Sequence, residues 1–155
     1  MPEPRDFKRP ESVLVVIHTR ALECLLLERV EPRELWQSVT GSLRWGETAQ
    51  ECAAREVYEE TGLAASGLRD AAVRHTFPIA LAWRSRYAPG TEHNLEHLWY
   101  LELPSIAAVR LAPREHVAFE WLAIDAAIAK VWSWTNREAL ERLARSSPAA
   151  ASGAS

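Results

Sequence analysis

The chain has 155 residues, 48% hydrophobic and 25% charged, which suits one soluble globular domain with a real core and is too short for two. A net charge of −3 leaves no basic excess to displace counterions from a nucleic-acid polymer, though a small polyphosphate stays admissible where a cation carries positive charge locally. Two cysteines, Cys24 and Cys52, make neither a disulfide framework nor a metal pattern, and no apolar run or signal-peptide core points to a membrane, so a reducing, cytoplasmic setting is expected.

Residues 1–11 are polar and interrupted by proline, and read as an arm leading into the first strand. Ser12 to His18 is a β-branched run with the length of a strand buried on both faces, and Cys24 to Glu28 reads as a second strand. Leu35 to Thr40 is expected to be a short strand delivering Gly41. A helix follows from about Thr48 to Thr61, opened by a Thr48–Glu51 capping box and closed at Gly62.

Beyond it, Leu68 to Val73 carries weak structure, and Arg74 to Ala82 reads as a strand that Pro78 confines to an edge or an end. Tyr87 to Asn94 is a loop, and Leu95 to Leu103 is a strand for which helix is the competing reading. Val109 to Pro113 and Phe119 to Leu122 are short extended segments. Asp125 is placed to cap one helix, while Thr135 and Glu138 repeat the capping-box spacing ahead of another with Ala139, Leu140 and Leu143 as its packing stripe. Residues 1–145 thus read as one domain, and the low-complexity stretch 146–155 as a disordered tail.

The chemistry concentrates between Gly41 and Leu63. At about 100° per residue, Glu56, Glu59 and Glu60 share one arc of the helix. Crowded carboxylates repel, and a hard divalent cation offsets that repulsion. A bare glutamate run is more often a solvated helix face, so the surrounding spacing has to decide. Zinc would want clustered cysteine or histidine. A di-iron bundle would want a glutamate three residues before a histidine, and none of the five histidines has one.

Gly41, five residues, Glu47, seven residues, Arg55-Glu56-Val57, one residue, Glu59-Glu60, one residue and Gly62-Leu63 fill every fixed position of the Nudix box. The chain therefore resembles a Nudix hydrolase. That resemblance implies an α/β (α+β) fold, an α/β/α sandwich of mixed β-sheet with the box helix at its centre. It implies phosphoanhydride hydrolysis supported by Mg2+, with Mn2+ as an alternative. Glu56, Glu59 and Glu60 are then metal ligands, one of them or a nearby carboxylate serving as base. Glu47 and Arg55 would pair to hold loop against helix, and Gly41, Gly46 and Gly62 would allow tight turns.

The flanks are similar to one Nudix branch, the dihydroneopterin triphosphate pyrophosphohydrolases of the folate pathway. The matching segments are Lys8 to Ile17, Trp36 to Ser42, Arg86 to Gly90, Glu115-His116 and Ser133 to Arg137. This branch implies Glu115 as a further metal-binding carboxylate and Lys8, Arg29, Thr40 and Ser133 as substrate contacts. Arg44-Trp45 departs from the acidic residues common before the second loop glycine and leaves Trp45 either stacking on a ring or shielding the site. The expected reaction gives dihydroneopterin monophosphate and pyrophosphate. The alternatives are a broad-specificity nucleoside triphosphate pyrophosphohydrolase and a non-catalytic Nudix binding module. The partner is a small-molecule triphosphate, with no nucleic-acid polymer and no membrane.

Overall fold

The computed structural model describes residues 3–146. Seven strands form one mixed sheet in the order β3-β2-β1-β6-β5, with β4 paired to β1 and β7 paired to β2. The strands are β1 Glu11–Thr19, β2 Glu23–Arg29, β3 Trp36–Gln37, β4 Val39–Ser42, β5 Leu68–Pro78, β6 His93–Leu103 and β7 His116–Ala123. The helices are α1 Ala49–Thr61, α2 Ile124–Lys130 and α3 Trp134–Ser146. The expected tail therefore begins with a helical residue, Ser146, and the remainder of it lies outside the described residues. Among the described residues no helix is long and apolar enough to cross a membrane.

The continuous apolar run of β1 is explained by burial on both faces. Val13, Val15 and Ile17 pack with Cys52, Ala53 and Val57 of α1. Leu14 and Val16 pack with Ala139, Leu140 and Leu143 of α3. The alternation of the pleat thus builds two cores from one strand, and the result is the α/β/α sandwich. β6 pairs with β1 in parallel and divides its side chains the same way, Trp99 and Leu101 toward α1, Leu98 and Tyr100 toward α3.

Several elements differ from the sequence reading. The strand expected over Leu35 to Thr40 is two pieces separated at Ser38, whose N–H donates to Asn136 Oδ1 at 2.8 Å and whose Oγ accepts from Asn136 Nδ2 at 2.9 Å. The segment with weak structure and the strand after it form one edge strand, β5. A register shift between Asp70 and Arg74 holds Ala72 at φ 56, and this irregularity hid the strand's continuity. Pro78 is its last residue, and Leu81–Arg86 is a 3₁₀ turn. Val109 to Pro113 pairs with no strand, because Arg110 N–H bonds instead to the Thr61 carbonyl at the end of α1, at 2.8 Å. Ala123 occupies the N-cap position of α2 with no side-chain cap, and Asp125 lies within its first turn. α3 begins at Trp134, so Thr135 lies inside it and Ser133 Oγ accepts from Asn136 N–H at 3.3 Å.

Candidate active site

α1 is built as its sequence dictates. Thr48 Oγ accepts from Glu51 N–H at 3.1 Å while Thr48 N–H donates to Glu51 Oε1 at 3.0 Å. Gly62, at φ 75, closes the helix with its N–H on the Tyr58 carbonyl at 2.8 Å. Packing Cys52, Ala53 and Val57 against the sheet turns Glu56 and Glu60 inward with them. Glu59 is left toward the rim.

Glu60 is 1% exposed, and neither carboxylate oxygen has a hydrogen-bond donor. Burial pushes its pKa well above the ordinary range, and Glu56, Glu115 and Glu59 push the same way. Glu56 is also raised by burial, against the pull of Arg55, and lies near enough to Glu60 for one carboxyl to donate to the other when protonated. With both ionised, no donor among the described residues satisfies Glu60. Glu60, Glu115 and His116 form a cluster whose ligand atoms lie within 4.8 Å of one another. His116 Nε2 is 3.7 Å from Glu60 Oε1, too long for a hydrogen bond. Burial, then Arg29, lowers the His116 pKa to about 4, so the ring is neutral at pH 7 and free to offer a lone pair. Oxygen donors with one imidazole, Glu60 and His116 buried and Glu115 at the exposed side, are a donor set for a divalent cation.

Arg55 organises the box carboxylates around Glu60. Its Nε and Nη2 bond Glu47 at 2.7 and 2.9 Å, Nη1 reaches Glu56 at 2.8 Å and Glu59 at 3.2 Å, and Nη2 also bonds the Ser42 carbonyl. Glu59 is further engaged by Arg44 at 3.5 Å, and its side chain is 41% exposed. The structure therefore does not bring Glu59 into the cluster of Glu60, Glu115 and His116. Gly41 lies against Glu56, and a Cβ there would overlap the Glu56 carboxyl group.

A cavity of about 720 Å³ opens onto Glu60, Glu115 and His116, and Lys8, Arg29, Thr40 and Ser133 also line it. The sequence reading is silent on the role of Arg86, which lines it too. Burial, followed by the positive charges of Arg86 and Arg29, lowers the Lys8 pKa, as expected where three cations converge. Thr40 and Ser133 face the cavity with hydroxyls already engaged, Thr40 donating to the Val13 carbonyl at 3.0 Å and Ser133 accepting at the start of α3. Trp45 is not part of the cavity lining; its Nε1–H donates to the Phe7 carbonyl at 2.8 Å, with Arg9 over its ring, and ties the N-terminal arm to the box loop.

The NUDIX domain matches residues 8–143. The chain belongs to the NUDIX family. It is 40% identical over 141 residues to a dihydroneopterin triphosphate diphosphatase of Escherichia coli K12, covering 88% of this chain and 93% of that protein. A protein of the same name from Haemophilus influenzae is 34% identical over 142 residues, with 88% and 89% covered. The solved structure of the Escherichia coli dihydroneopterin triphosphate pyrophosphohydrolase superposes with a TM-score of 0.81 at 40% identity, covering 88% of this chain and 95% of that one. The Nudix-box reading of Gly41 to Leu63 and the mixed-sheet fold are both in accord with these matches.

Proposed function

We propose that this Nudix protein hydrolyses dihydroneopterin triphosphate between the α- and β-phosphates, releasing dihydroneopterin monophosphate and pyrophosphate. The observation that carries the reading is Glu60: a buried carboxylate with no donor, opening onto a cavity shared with Lys8, Arg29 and Arg86. The relatives that share 34–40% identity with the chain are named for this substrate.

Glu60, Glu115 and Glu56 would hold the divalent cation, with His116 beside them; carboxylate oxygens favour Mg2+, and Mn2+ tolerates the imidazole. When bound, the cation supplies Lewis-acid neutralisation of the phosphate oxygens. Lys8, Arg29 and Arg86 clamp the triphosphate and fix which phosphorus faces the acidic cluster. Glu56, fixed between Arg55 and Gly41, is placed to accept the proton of the attacking water. Glu59 acts one step back, by holding Arg55 in place.

Product analysis tests this reading. Pyrophosphate and dihydroneopterin monophosphate are expected, with kcat/KM for the pterin triphosphate at least about tenfold above that for any common nucleoside triphosphate. A nucleotide turned over faster would remove the pterin assignment and leave the hydrolase. Gly41→Ala tests the geometry: Arg55 and Glu60 hem Glu56 in, so the added methyl has to displace it, and kcat is expected to fall at least about tenfold with the fold intact by circular dichroism. Unchanged kcat would free Glu56 from its assigned position.

A further inference from the structure

A second set of polar groups faces the cavity, far in sequence from the box. The β6 pleat places Asn94 and Glu96 on the face that carries Leu98 and Tyr100, and both residues line the cavity. They are buried, 6% and 7% exposed. Asn94 Nδ2 donates to Ser12 Oγ at 2.8 Å, which leaves Oδ1 as the amide's free atom, and no donor reaches it. Glu96 is approached by the Thr135 hydroxyl, and no arginine or lysine pairs with it among the described residues. His75, opposite it on β5, gives its Nε2 to Glu138 at 2.9 Å instead. Burial lifts the Glu96 pKa to about 7.

An acceptor stranded inside a protein costs about 1–3 kcal/mol, and buried polar groups left without partners call for an explanation. Here Asn94 Oδ1 is such an acceptor, and two positions along the strand Glu96 is a buried carboxyl that meets the Thr135 hydroxyl and no cation among the described residues. Trp83, Trp132 and Trp134 are part of the same cavity wall, each partly exposed, which gives flat surfaces against which a ring can lie. The missing partner is therefore a flat molecule with a donor-rich edge.

The geometry points to Glu96 and Asn94 as the pair that reads the ring of the substrate, which for its ligand rests on the pterin triphosphate reading. Glu96 accepts two parallel N–H bonds, from the ring N–H and the exocyclic amine of a 2-amino-4-oxopyrimidine. Asn94 Oδ1 accepts the amine's second hydrogen. That edge belongs to pterins and to guanine. Adenine and cytosine set a ring-nitrogen lone pair against the carboxylate, and uracil flanks its one N–H with two carbonyl oxygens. Discrimination comes from the rejected ring as much as from the accepted one.

The test compares kcat/KM for the pterin triphosphate, GTP, ITP and ATP; ITP is GTP without the amine. Wild-type protein is expected to prefer GTP to both ITP and ATP by at least about tenfold, since a site built to bond an amine rejects the analogue lacking it. In Glu96→Gln the GTP:ITP ratio is expected to fall toward one, and KM for the pterin triphosphate to rise at least about tenfold. Equal wild-type rates for GTP and ITP, or a ratio unmoved in Glu96→Gln, overturn the assignment. If Glu96→Gln does not fold, the wild-type ratio decides alone. If no nucleotide is turned over, the wild-type affinity for neopterin against its 2-oxo analogue, read by tryptophan fluorescence, supplies the ratio, and equal or absent binding overturns it. A resistant pterin triphosphate with the GTP:ITP preference intact removes the proposed function and leaves the ring reader standing.

Discussion

Glu60→Gln is expected to lower kcat by at least about a thousandfold, roughly 4 kcal/mol of transition-state stabilisation, and at the same time to make the metal-free protein more stable. Both effects follow from one arrangement: the Glu60 carboxyl is buried against Glu56 and Glu115 with no donor on either oxygen. Without a cation that arrangement is unfavourable, because the raised native pKa lies above the unfolded one. The native state then binds the extra proton, and stability falls as pH rises through the interval between the two values. Glutamine keeps the volume, removes the charge and supplies an N–H toward Glu56, which should stabilise the metal-free fold by about 1–2 kcal/mol. Saturating Mg2+ should raise the wild-type melting temperature, by about 2.7 kcal/mol of linkage at a hundred times Kd, and should leave that of Glu60→Gln unmoved. Glu59→Gln is the control: exposed and tied to Arg55 and Arg44, it should cost no more than about tenfold in kcat. Thermal melts with and without Mg2+, alongside steady-state kinetics, check all of this. A Glu60→Gln protein that keeps its Mg2+-induced shift would falsify the ligand assignment.

That contrast marks the boundary of what could be read from residue order. Helical spacing placed Glu56, Glu59 and Glu60 on one arc, and the capping residues Thr48, Glu51 and Gly62 bounded their helix correctly. Spacing does not say where an arc meets the sheet. Only the packing of Cys52, Ala53 and Val57 buries Glu60 and leaves Glu59 at the rim beside Arg44. The apolar run of β1 identified a strand covered on both sides, since no other short element is apolar all round. For Leu95 to Leu103 helix stayed a competing reading, because burial on both faces blurs the alternation of a strand. β6 is buried on both faces, so Asn94 and Glu96 do not mark a solvent face but the wall of a cavity. A charged residue inside a doubly buried strand was the available signal for Glu96. Arg86 and His116 carried no comparable signal, because their approach to Lys8 and Glu60 depends on loops that close over distances no local pattern encodes. The cap expected at Thr135 falls instead at Ser133. Two hydroxyls compete to open α3, and the one that wins is decided by Asn136 anchoring to Ser38 across the sheet.

Arg55→Ala is expected to carry the largest stability cost of any single substitution in the box, about 3–5 kcal/mol, because it strands several partly buried carboxylates at once. Arg55 bonds Glu47 with two nitrogens, Glu56 and Glu59 with a third contact surface, and the Ser42 carbonyl as well. Glu47 also accepts from Arg44 N–H at 2.9 Å, so the guanidinium couples the box loop to α1. Hydrogen bonding to Arg55, above all, depresses the Glu47 pKa to about 2, below the usual glutamate value near 4.3. A depressed carboxylate stabilises the fold above its unfolded pKa and loses that contribution as pH falls from about 4.3 toward about 2. Wild-type protein should therefore lose stability across that acid window, and Arg55→Ala should show a shallower decline there, from a lower starting point. Denaturant melts at pH 7, 4 and 3 measure both slopes. Arg55→Lys separates charge from geometry: one ammonium cannot match a planar fork shared among Glu47, Glu56 and Ser42, so less than half of the lost stability should return. Full recovery in Arg55→Lys would mean that the box needs only a positive charge at this position. The fork would then have no part in keeping Glu56 pressed against Gly41.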